Sequence, residues 1–250
     1  MRRIVARVLI LAPALVGLGL APAPAAASIC VPTDLFQDGH FLSALLVDPP
    51  TPVSGAVDAL GCEIAVYYNA LATVRSVEGA DISNAIYYGV AVKDASGVSV
   101  ESNSIHDIGD PTFDGSQHGV GVFFTGSGSN NGHVDGNTIS LYQKNGMAMK
   151  DGADVAVTGN TVTGRGPQKT IAQNGIEFVH STSPDLSGNV VSENIYTQTT
   201  SCTPGCVGST TGVVSTGFLL FDTNFKNPGQ VAPLNHAFEN QVDYYVVNPR

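Results

Sequence analysis

The chain has 250 residues, 43% of them hydrophobic, with 11 Lys+Arg against 21 Asp+Glu and a formal net charge of −10. A surface this acidic repels phosphate backbones and anionic lipid, which excludes nucleic acid as a partner. There is no Trp, and charged residues are sparse at 13%.

In chain order, the first element is a targeting signal. Arg2, Arg3 and Arg7 precede an apolar run from Val8 to Leu20, and Ala25-Ala26-Ala27 offers a small-residue cleavage site. Residues 1–27 are therefore expected to be removed. The remainder keeps 8 of the 11 basic residues against all 21 acidic ones, a net charge of about −13. No later stretch is long and apolar enough to be expected to span a membrane. The expectation is a secreted, monomeric protein. It forms one domain over 28–250, with a cap segment at 28–56 and repeated coils over 57–247. Four cysteines suit an oxidising compartment. Of the three connectivities open to them, Cys30 with Cys62 and Cys202 with Cys206 is the reading adopted.

From residue 64 onward a short pattern returns every 26 to 30 residues or so: Ile64-Ala65-Val66, Val90-Ala91-Val92, Val120-Gly121-Val122, Met147-Ala148-Met149 and Ile176-Glu177-Phe178. The last four copies follow Gly89, Gly119, Gly146 and Gly175. A second repeat lies between the copies, from Val100 to Ile105, Val134 to Ile139, Val157 to Val162 and Leu186 to Val191. Apolar residues alternate with a period of two and are broken by small turn residues, so each repeat reads as three short strands. Strands repeated at one period stack beside their equivalents. The fold class is all-β, a parallel β-helix of about seven coils. Asn103, Asn137, Asn160 and Asn189 recur at one corner. Asn accepts the left-handed backbone of a sharp turn, and stacked amides can bond as a ladder.

These repeats, with the phrases Tyr142-Gln143-Lys144-Asn145-Gly146 and Ile171-Ala172-Gln173-Asn174-Gly175-Ile176, resemble the right-handed parallel β-helix proteins of the pectin-lyase-like superfamily. The resemblance is clear over 57–191 and fainter to Val247. It implies a right-handed coil whose first sheet binds polysaccharide on its outer face. The family's glycosidases carry paired aspartates on those strands. Gly121 and Ala148 leave such places empty, which argues against hydrolysis.

The third turn of each repeat varies in length and is long from Ile105 to Val120, Val162 to Ile176 and Val191 to Phe218. Long loops on a rigid scaffold are where sites form. Strict alternation turns Gly89, Gly121, Gly146 and Glu177 outward, making a nearly bare floor beside those loops. An outward column of Tyr87, Gln117, Lys144 and Gln173 precedes it. A second column, Tyr88, His118, Asn145 and Asn174, lies inward or in the turn.

Lys144 and Arg165 would hold a uronate carboxylate, with Lys144 able to abstract a proton at lowered pKa and Tyr142 as the opposing acid. His118 is a further acid or base. Gln117, Gln143, Gln173, Glu177 and Asp114 are the expected substrate contacts. Each has an ordinary alternative: solvated charge for Lys144 and Arg165, loop packing for Tyr142, an amide-ladder cap for His118. Asp107, Asp110 and Asp114 could hold Ca²⁺ through oxygen, yet no calcium motif is present, and no cofactor or metal is expected.

Three readings follow: a lyase or epimerase on an acidic extracellular polysaccharide, a non-catalytic surface-binding or structural solenoid, or a bare floor covered by residues 32–52.

Overall fold

A computed structural model describes residues 29–198 and 213–247. Cys202 and Cys206 lie outside them. Two sheets built from stacked coils account for the strands.

The first sheet has nine strands. In spatial order they are Val31–Gln37, His40–Val47, Ile64–Tyr68, Tyr88–Lys93, Val120–Thr125, Asn145–Lys150, Asn174–Val179, Thr216–Phe221 and Val242–Val247. The first pair is antiparallel. Every later neighbour is parallel, as stacking of equivalent strands requires. The other two strands of each coil merge into one 11-stranded sheet. Its hinge is the long strand Ser76–Ser83, which pairs with Ser99–Glu101 through its first half and with Ser104–His106 through its second. Parallel pairing begins before residue 57, because His40–Val47 lies along Ile64–Tyr68 and Val53–Asp58 lies along Ser76–Ser83.

Inside the coil, Val66, Val90, Val122, Met147, Ile176 and Phe218 belong to one continuous core with Ile82, Ile105, Ile139, Val162 and Val191. Stacking like residues fills the coil with apolar side chains and supplies the main stabilising burial. At one corner Asn103, Asn137, Asn160 and Asn189 each donate an amide N–H to the next amide oxygen, at 2.8–2.9 Å, and Asn235 extends the row. Each also donates to a backbone carbonyl below. A further corner pairs Asn194 with Asn240.

The register corrects the expected floor. Val120 lies opposite Tyr88 and Asn145, and Val122 opposite Val90 and Met147. Gly121, rather than Gly119, therefore stands in line with Gly89 and Gly146. These glycines face the core. A Cβ on Gly121 would lie 2.6 Å from the Gly146 carbonyl oxygen and 2.7 Å from Ile139 Cγ2, and one on Gly146 would lie 2.3 Å from Val162 Cγ1. Glycine is needed for this close approach, and the kink it makes interrupts strict alternation.

The outer face is consequently furnished. It carries the columns Ile64–Tyr88–Val120–Asn145–Asn174–Thr216 and Tyr67–Ala91–Phe123–Ala148–Glu177–Leu219. The N-terminal hairpin covers its first half. Leu35 packs with Tyr67, Tyr88, Ala91 and Phe123 in a second apolar cluster. Asp34 accepts bonds from Tyr67 and from Lys93 Nζ, the latter at 2.9 Å. Gln37 accepts from Tyr88, and a Cys30–Cys62 disulfide ties the hairpin base to the coil. The covering expected of residues 32–52 thus exists, but over the early strands alone.

Candidate functional site

Beyond the hairpin the outer face carries a polar group assembled from two adjacent strands. Asn145–Lys150 supplies Asn145 and Lys150, and Asn174–Val179 supplies Asn174 and Glu177. Glu177 is 5% exposed. Its carboxylate accepts from Asn145 Nδ2 at 3.0 Å and Asn174 Nδ2 at 2.8 Å, and pairs with Lys150 Nζ at 3.0 Å. Asn174 in turn accepts from the Thr216 hydroxyl at 2.9 Å. A buried carboxylate needs such donors to offset its desolvation.

Lys144 sits at the head of the same strand, part-buried, with Nζ donating to the Ala172 carbonyl at 2.9 Å. Burial holds its pKa below the ordinary lysine value, opposed by the nearby Glu177 charge. Lys144 also divides two surface cavities. One, of about 280 Å³, is lined by Gln37, Tyr88, Gln117, Val120, Phe123, Lys144, Asn145, Ala148 and Lys150. The other, of about 240 Å³, is lined by Lys144, Ala172, Asn174, Thr216, Leu219 and Tyr245 with Val213 and Val214. Together they trace a groove across successive strands, with ammonium groups above an apolar and amide floor.

Of the residues singled out from sequence, Lys144, Gln117 and Glu177 meet here. The others do not, each for a physical reason. Tyr142 is fully buried in the core, its hydroxyl donating to Asn194 Oδ1 at 2.6 Å, and burial drives its pKa far up. It cannot face a ligand as an acid. Arg165 donates to the carbonyls of Tyr142 and Leu141 and lies over the Phe113 ring at 4.7 Å. It lines a separate cavity of about 230 Å³ with Asn84, Asp107 and Asp110, so it shares no cavity with Lys144.

Gln143 and Gln173 are fully buried. Gln143 holds the loop after Ile105 through Asp110, Asp114 and the Ser116 carbonyl. Gln173 accepts from Arg165 N–H and donates to the Tyr142 carbonyl. They are loop anchors rather than ligand contacts, because their side-chain amides are taken up by these buried bonds. Asn145 and Asn174, expected inside, face outward because the glycine after each faces the core and interrupts strict alternation.

Asp114 accepts the Ser116 backbone N–H at 2.7 Å, which lowers its pKa. Asp110 is taken by His118 and Asp107 by His106. Among the described residues no group of three or more His, Cys, Asp or Glu is arranged to hold a metal ion. His118 is 7% exposed and stacks on Tyr87 with ring centroids 4.0 Å apart. It faces the hairpin, not the groove.

Sequence reading missed Lys150. It stands two positions beyond Ala148, so carrying the outward alternation one step further down the strand would have found it.

Parallel coils, a continuous internal core and stacked asparagine corners define a β-helix. The family model for the right-handed beta helix region matches residues 59–224, and the chain belongs to that family. No curated protein and no solved structure matches it. Among the described residues no helix is long and apolar enough to cross a membrane.

Proposed function

We propose that this β-helix binds an acidic extracellular polysaccharide in the uncovered half of its first-sheet face. The carrying observation is the pair of cavities meeting at Lys144, with Lys150 beside them. A groove that crosses stacked strands about 4.8 Å apart suits an extended chain, and the Lys144 ammonium suits its carboxylates, with Lys150 beside it in its pair with Glu177. The acidity of the remaining surface confines anion binding to this strip.

A second reading is favoured by the burial of the Lys144 amine where the two cavities meet, which lowers its pKa. A lysine that gives up its proton more readily than usual can act as the base at the C5 proton of a uronate, the first step of β-elimination or epimerisation. Arg165 and Tyr142 play no part in it.

Titration of the protein with uronate oligosaccharides tests binding. Lys144→Gln is expected to weaken it tenfold or more, because a charge-assisted bond contributes about 1.5–3 kcal/mol. Absence of binding by the unaltered protein, or equal affinity in Lys144→Gln, contradicts the proposal. Absorbance of unsaturated product separates catalysis from simple binding.

A further inference from the structure

We infer that the N-terminal hairpin is latched onto the coils by a pH-dependent joint at its tip. The inference stands on geometry at the covered half of the face and is independent of what the open half binds. Two histidines make the joint, one from each side. His118, from the loop after Ile105, pairs through Nε2 with Asp110 at 2.8 Å and turns Nδ1 towards Asp38 of the hairpin turn at 3.7 Å. His40, from the hairpin, pairs with Glu63 of the coil at 2.5 Å.

Tyr87 lies between them. Its ring stacks on His118 and meets His40 edge-on at 6.1 Å, and its hydroxyl donates to Asp38 at 3.0 Å. The charged groups facing the two imidazoles are Asp38, Asp110, Asp114 and Glu63. The remaining polar neighbours hold those carboxylates: Gln143 donates to Asp110, and the Ser43 N–H and hydroxyl donate to Glu63. All of these charged partners are carboxylates, so His40 binds Glu63 more strongly when its imidazole is cationic than when it is neutral.

The sign follows for His40. Its hydrogen bond to Glu63 raises its pKa in the folded protein. The stabilisation is fully present below the unfolded histidine value and is lost as pH rises through the raised one. The hairpin is held most tightly in mild acid. It loosens above neutrality while the Cys30–Cys62 bond keeps its base attached.

Hydrogen exchange on the full chain, corrected for intrinsic rates, tests the latch at about pH 5.5 and about pH 8.5, on either side of histidine's ordinary range. Protection of His40–Val47 and Val31–Gln37 is expected to fall several-fold at the higher pH, with Val120–Thr125 unchanged. His40→Gln with His118→Gln is expected to abolish that difference. Should this double variant not fold, Asp38→Asn is expected to reduce it. Hairpin protection that is independent of pH, that changes equally in the inner strands, or that keeps its pH dependence in the variants overturns the inference.

Discussion

Glu177 shows how a residue's role depends on the company its strand provides. A lone carboxylate on an inner strand would be costly to bury, yet three donors from two strands surround it. Replacing it with Ala leaves Asn145 and Asn174 with unfilled donors, and a buried unsatisfied group costs about 1–3 kcal/mol. The urea midpoint of Glu177→Ala is expected to fall accordingly; an unchanged midpoint would show that the network contributes nothing. Lys144 makes the complementary case. Because burial depresses its pKa, affinity for a carboxylate ligand is expected to decline at a lower alkaline pH than an exposed lysine would give, as read by titration across pH. Sequence made Lys144 visible because it falls two residues before the repeat glycine, in the column between Gln117 and Gln173. It could not reveal that Gln143 turns inward, since that depends on bonds to the distant Asp110–Ser116 loop.

At the level of elements, the repeat period disclosed the stacked strands and the asparagine corner, since both recur with each coil. Register was harder. Gly119 and Gly121 stand two apart, and either could be matched to Gly89 by pattern. What decides is the close approach of Gly121 to the Gly146 carbonyl and the Ile139 side chain. Gly121→Ala therefore overpacks the interior beneath its strand and is expected to cost about 1–3 kcal/mol, measured by chemical denaturation. Asn160→Ala should cost a similar amount, because it removes a member that both donates and accepts in the ladder. If both variants denature like the parent, the stacked corners are not what holds the coils in register. That residues 32–52 cover the floor was one of the three readings of the sequence; that they form a hairpin over the early strands alone was not legible. Its contacts, such as Asp34 with Lys93 and Gln37 with Tyr88, join residues far apart in sequence and occur once, so no period announces them.

Across the molecule, one face of the first sheet is divided in two. The early strands lie beneath the hairpin, with Leu35 filling the space above Tyr67 and Ala91. The later strands present Lys144, Lys150 and the amide-held Glu177. This division gives one sheet face a covered part and an open part from the same repeated strand, and on the proposed reading the open part is the binding strip. The central claim is the place of that strip. Hydrogen exchange with and without a uronate oligosaccharide measures it most directly. The account predicts added protection in Asn145–Lys150 and Asn174–Val179, lost in Lys144→Gln. Protection confined to the Arg165 cavity, or to the hairpin, would contradict it.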